Sequence, residues 1–150
     1  ISFVIAGFDP VDKEQFPDLP NITYPGYVQR DGVVEFIRGC DVTISTRIED
    51  VTGDLLFPHK VSEYMACGRA VIVSGAGDQP AIIRDAGCGM VVTPMNAEAL
   101  AHAIEKVAAM TREEREEWGR RALKYAQDKL LYGSFRQKLS TIYRGLGLPQ

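Results

Sequence analysis

Cysteine is scarce in this 150-residue chain, and so is histidine. Cys40, Cys67 and Cys88 are odd in number and far apart, with no CxxC pair, and His59 and His102 are distant from each other. This spacing argues against both a disulfide framework and a zinc site, and no metal ligand set is assigned. The cysteines are expected to act as small buried hydrophobes in a reducing, cytoplasmic setting. No apolar run approaches the roughly 18 residues that spanning a bilayer needs. The apolar opening, Ile1 to Ala6, lacks the basic flank and the length of a signal peptide. There is no G-x-G-x-x-G fingerprint, no P-loop Gly-Lys-Ser/Thr and no Gly-x-Ser-x-Gly elbow. A basic balance is missing as well: the net charge is −3, which argues against a nucleic-acid partner. What remains is 45% hydrophobic and 25% charged, an ordinary globular composition for one domain over residues 1–150.

Short apolar runs alternate with helical patterns. Ile1–Ala6, Asn21–Tyr24, Asp41–Thr46, Ala70–Val73 and Gly89–Val92 read as strands. Residues 8–20, with three prolines, read as loop with one helical turn at 12–16, and 47–57 as a polar loop. Val33, Val34 and Ile37 recur at helical spacing before Gly39, and a helix over 58–66 takes Pro58 into its first turn and stops near Gly68. Pro80 opens another that ends at Gly87. Asn96 caps a helix carrying Leu100 and Ile104, and Thr111-Arg-Glu-Glu114 is a capping box for the next, which sets Trp118, Ala122 and Tyr125 on one face. Gly133-Ser134 should break it. A last helix would then align Phe135, Leu139, Ile142, Tyr143 and Leu146. The alternation predicts an α/β fold, a Rossmann-like doubly wound parallel sheet with helices on both faces. Since the chain opens on a complete strand pattern, we expect it to be part of a longer one whose N-terminal part is missing.

Charge is uneven along the chain. From Thr111 onward nine basic residues face five acidic ones, a net +4 against −7 for the remainder. Either the last helices have a solvated face laced with pairs such as Glu116–Arg120 and Glu117–Arg121, or they meet a membrane surface or a partner domain.

The chemistry-bearing stretch is Pro58-His-Lys-Val-Ser-Glu-Tyr-Met-Ala-Cys-Gly-Arg-Ala-Val-Ile72. Its helix follows the third strand, so it starts at the carboxyl edge of the sheet, where ligands bind in open α/β sheets. N–H groups of the first turn and the helix dipole favour an anion there. Lys60 opposes that dipole, so it either faces solvent or meets an anionic ligand. Glu63, one turn on, is either an exposed helix residue or a carboxylate that accepts hydrogen bonds from two neighbouring hydroxyls, as on a ribose. Ser74-Gly-Ala-Gly-Asp78 after the fourth strand allows close backbone approach to a phosphate, or is a tight βα turn. Pro25-Gly26-Tyr27-Val28 could pack on a nucleobase, or be a turn.

Together these segments resemble the C-terminal, donor-binding domain of GT-B glycosyltransferases of the retaining, glycogen-synthase-like type. The resemblance rests on Phe3-Val-Ile-Ala-Gly7, Asn21–Val28, Val34–Ile44, the Pro58–Ile72 stretch, Gly87–Val92, the helix at 94–104 and the final helix with Tyr143. It implies a nucleotide-diphosphate sugar as donor, with no cofactor and no metal. Glu63 would hold the ribose hydroxyls, the helix start at His59, Lys60 and Val61 would meet the diphosphate, and Gly26, Tyr27 and Val28 would line the base. Such enzymes often carry a second glutamate eight positions before the first. Here that position is Leu55, and Asp54 beside it is the nearest candidate for the sugar contact. The basic pair that clamps the diphosphate in the family precedes the first segment present. The acceptor-binding N-terminal domain, with its catalytic group, would be a further partner. Location is expected to be cytoplasmic, with peripheral membrane contact as an option. Two other readings stay open: a nucleotide-sugar epimerase of the same fold, and a non-catalytic nucleotide-binding or receiver-like regulatory domain. A receiver could use Asp9, but no acidic pair or strand-end lysine follows it.

Overall fold

The computed structural model describes residues 1–7, 18–48 and 57–130, together with 133, 136, 140–142 and 144. The chain divides into two compact units, Ile1–Gly39 and Cys40–Gln150.

In the first unit, β1 (Phe3–Ala6) pairs in parallel with β2 (Ile22–Gly26). Phe3 stands opposite Ile22 and Val4 opposite Thr23, but Ala6 stands opposite Gly26, so β2 carries one extra residue. Proline has no N–H to give a ladder, and a bulge is where a strand tolerates one. Pro25 and Gly26 thus belong to the strand, which does not end at Tyr24 as the sequence suggests. The third element, α1 (Val33–Arg38), buries Ile37 and is closed by Gly39, whose N–H donates to the Glu35 and Phe36 carbonyls.

In the second unit, β3 (Val42–Ser45), β4 (Ala70–Ser74) and β5 (Gly89–Val92) lie side by side in that order, all parallel. Parallel neighbours need crossovers. The first runs through α2 (His59–Ala66), the second through α3 (Gln79–Ala86). β4 is buried at every position, as its unbroken apolar run predicts. Successive strand side chains point to opposite faces. Val71 and Val73 pack with Val61, Met65, Ile83 and Cys88, whereas Ile72 packs with Val92, Ala103 and Val107. Both faces are covered, as in a doubly wound sheet.

Two helices complete this unit. α4 (Ala97–Ala108) starts where expected: the Asn96 side chain accepts from the Ala99 N–H at 2.9 Å. α5 (Arg112–Tyr125) starts with the full capping box, in which Thr111 and Glu114 bond reciprocally. Its end differs from expectation. A five-residue π turn, Ala126–Leu130, follows directly, and Gly133, the expected breaker, is itself helical. The expected turn at 12–16 lies outside the described residues, as do Phe135, Leu139, Tyr143 and Leu146 of the last stripe; its remaining member, Ile142, is exposed. Among the described residues, no helix is long and apolar enough to cross a membrane.

Candidate functional site

Because α2 leaves β3 and returns to β4, its first turn lies at the carboxyl edge of the three-stranded sheet. Pro58 caps it instead of entering its first turn: the Pro58 carbonyl accepts from the N–H groups of Val61 at 3.0 Å and Ser62 at 3.3 Å. A helix three residues into its sequence must choose one side for the core. Val61 and Met65, four apart, are wholly inaccessible to solvent. Burial of each contributes roughly 1.5–3 kcal/mol, enough to anchor this helix face. His59, Lys60 and Glu63 fall on the other side and are exposed. His59 and Glu63 are one turn apart on that face, with Lys60 between them.

The helix start thus offers side chains more than backbone. The His59 N–H donates to the Phe57 carbonyl at 2.9 Å, and those of Val61 and Ser62 are taken by Pro58. Val61 is part of the core, so its side chain reaches no ligand. The His59 ring meets the Phe57 ring edge-on, with centroids 5.3 Å apart. Among the described residues, the ion pairs lie on α5 and the turn after it, and none involves Lys60 or Glu63. Behind them, burial pushes the Tyr64 phenol above its ordinary pKa, and the neighbouring Glu63 and Cys40 add to that shift.

Gly26, Tyr27 and Val28 belong to the Ile1–Gly39 unit. Gly26 has φ +76°. A side chain rarely adopts that conformation, so glycine suits the position. Tyr27 is 70% exposed, an aromatic ring that faces mostly solvent. Asp54 lies outside the described residues, as do Leu55 and Asp9.

The glycine-rich segment after β4 is a tight βα turn. The Gly75 N–H continues the sheet to the Val92 carbonyl at 2.8 Å, and the Ala76 N–H closes on the Ser74 carbonyl at 2.9 Å. Those donors are spent, and Ala76 is buried.

A buried polar network beside this turn is not foreseen from the sequence. Gln79, the first residue of α3, is wholly buried. Its Oε1 accepts from Ser45 Oγ at the end of β3 at 3.0 Å, and its Nε2 donates to the Ser74 carbonyl at the end of β4 at 3.0 Å. Ser74 Oγ in turn accepts from the Arg47 N–H and donates to the Arg47 carbonyl. The carboxyl ends of two strands, and the departure of the chain from β3 towards α2, are held by one amide. The one clue in the sequence is a pair of serines, Ser45 and Ser74, at the ends of two largely apolar strands.

Three of the four acids at 113–117 are accounted for locally. Glu114 closes the capping box, and Glu117 pairs with Arg121 at 3.0 Å, as the spacing predicts. The expected Glu116–Arg120 pair does not form. Glu116 turns back to Arg112 at 2.7 Å, and Arg120 turns to Glu117 at 2.8 Å. Hydrogen bonds from these guanidinium groups hold both carboxyls below their usual pKa.

The family described as "Glycosyl transferases group 1" matches residues 1–125. No curated protein matches the chain by sequence. Among solved structures, sucrose-phosphate synthase from Thermosynechococcus elongatus superposes with a TM-score of 0.74 at 20% identity, over 95% of this chain and 38% of that one. WaaG, a glycosyltransferase involved in lipopolysaccharide biosynthesis, follows at 0.68 and 21% identity, over 91% and 36%. A glycosyltransferase from Rickettsia africae ESF-5 gives 0.66 at 22% identity, over 84% and 32%. The likeness shows a shared fold, the Rossmann-like α/β architecture of GT-B proteins, and the chain spans about a third of the length of each of these relatives.

Proposed function

Because this chain belongs to the glycosyl transferases group 1 family, we propose that it binds a nucleotide-diphosphate sugar and takes part in transferring the sugar to an acceptor. The observation that carries the reading is the exposed trio His59, Lys60 and Glu63 on a helix start whose opposite face is locked in the core. In this proposal Lys60 and His59 face the diphosphate. When the bond from the sugar to the diphosphate breaks, negative charge grows on the leaving oxygen. A fixed cation beside that oxygen lowers the barrier. Glu63 accepts hydrogen bonds from the ribose hydroxyls. Val61 contributes through the position of its backbone, and Tyr27, with Gly26 and Val28, supplies a face for the base. Asp54 is the candidate for the sugar. The acceptor site and the group that completes catalysis are proposed to come from polypeptide outside these 150 residues, since this chain covers only 32–38% of each of these relatives.

The test is a panel of UDP-, GDP- and ADP-sugars titrated into the protein while backbone amide signals are followed. At least one donor should shift the amides of residues 59–63 in a saturable way. If none does, the donor reading is wrong. Release of nucleoside diphosphate together with a glycoside then marks transfer, whereas interconversion of the sugar without that release would mark an epimerase.

A further inference from the structure

Four arginines converge on one cleft at the opposite edge of the same sheet. Asp41 and Arg69 stand just before the first residues of β3 and β4, so the cleft lies at the amino edge, away from the start of α2. Its other wall is α5, whose residues 112, 115, 116, 119 and 120 recur at helical spacing on one face. The volume is about 480 Å³. The cleft exists because helix and turn meet without side chains. A Cβ at Gly119 would stand 2.2 Å from the Gly68 carbonyl oxygen, so the approach needs glycine at 119, while Gly68 is suited by its φ of +70°.

The charges in the cleft do not cancel. Arg112 pairs with Glu116, and Arg120 pairs with Glu117, a carboxylate that also serves Arg121. Arg115 Nη1 donates to the Val107 and Met110 carbonyls, which are neutral acceptors and leave its charge uncompensated. Arg69 Nε is buried and has no hydrogen-bond partner. A charged donor removed from water with no acceptor is costly to keep, and an anion in the cleft would supply what it lacks. Asp41 and Glu116 are the two carboxylates that line the cleft against four arginines. The exposed Arg112–Glu116 pair is weak, so a ligand can displace it.

We propose that this cleft binds a phosphate-bearing anion, with Arg69 as its anchor and Arg112, Arg115 and Arg120 around it. The guanidinium fork matches phosphate oxygens in geometry as well as charge. A dissolved phosphate ester and a phospholipid headgroup share that chemistry.

The experiment titrates the protein at low ionic strength with sodium pyrophosphate, and separately with phosphatidylglycerol vesicles against phosphatidylcholine vesicles. Pyrophosphate should shift the amides of Gly68, Arg69 and Gly119 saturably, and Arg69→Gln should weaken that binding at least tenfold. Arg112→Gln, at a side chain that is 81% exposed and has no packing role, should weaken it three- to tenfold, and it keeps the test valid if the first variant folds poorly. Co-sedimentation with phosphatidylglycerol alone, lost in both variants and without a pyrophosphate response, would assign the lipid source. Absence of any response at these amides to either probe overturns the proposal, as does binding that both variants leave unchanged. Pyrophosphate shifts confined to residues 57–63 would also overturn it, while the proposed donor site stands.

Discussion

Glu63 and Val61 stand two positions apart on one helix and have opposite fates. Two positions are about half a turn, so the core takes Val61 and solvent takes Glu63. If Glu63 grips a ribose, Glu63→Gln keeps size and helix propensity but removes the charge. A charge-assisted hydrogen bond contributes roughly 1.5–3 kcal/mol, so donor affinity should fall about 10- to 150-fold. Stability should change by less than about 0.5 kcal/mol, because an exposed carboxylate holds no core. Calorimetric titration beside a urea melt checks both, and equal affinity for every donor that binds would end the ribose assignment. Gly119 is a second residue whose identity matters. Mid-helix glycine costs about 1 kcal/mol relative to alanine, so propensity alone would welcome Gly119→Ala. Contact with Gly68 reverses the sign: the new Cβ would overlap a carbonyl oxygen, and backbone must move. A net loss of about 1–3 kcal/mol is expected in the same melt, and a stabilised variant would refute the close contact.

Elements are most legible at their ends. Asn96, Thr111 with Glu114, and Gly87 in its left-handed conformation stop or start helices through bonds to residues three or four away. Those bonds use the orphan groups that every helix terminus leaves, and no distant contact is needed to foresee them. Asn96→Ala should therefore cost about 1 kcal/mol, within roughly 0.5–2. Asn96→Asp, which keeps an acceptor at the helix start, should hold the urea midpoint near wild type. A midpoint unmoved by the alanine would mean that the cap is not supporting α4. Where β2 ran past its expected end, the cause lay outside the segment: it continues through Pro25 because its pairing with β1 accommodates the bulge.

Across the second unit, stability depends on β4 and the two cores it separates. Cys88 sits in one of them, wholly buried, and burial pushes its thiol up to about 11 from an ordinary 9.0. Burial raises the Tyr64 and Tyr125 phenols too. The sign follows from proton counting. Above pH 9 the unfolded chain releases the thiol proton while the folded chain keeps it, so rising pH favours unfolding. Stability should be flat in this respect below pH 9 and fall between pH 9 and about 11 as the thiol and phenols titrate. Urea midpoints at unit steps from pH 7 to 11 test this, and Cys88→Ala should flatten the first part of the decline. A wild-type midpoint that stays constant to pH 10.5 would show that these groups are not shielded.

By itself the sequence determined the alternation of strands and helices, the parallel pairing, the helix caps and the exposed polar face of α2. Each of those signals is carried within a few residues, by apolar periodicity, capping oxygens or glycine φ. Only the tertiary structure decided that Gln79 would be buried between Ser45 and Ser74, that Gly119 would lie on Gly68, and that Arg69 would face three arginines from α5. Ser45 and Gln79 are 34 positions apart, and Gly68 and Gly119 lie on segments far apart in the chain. No local pattern encodes such meetings. They follow from strands and helices being packed on both faces of one sheet, which brings groups far apart in sequence into contact.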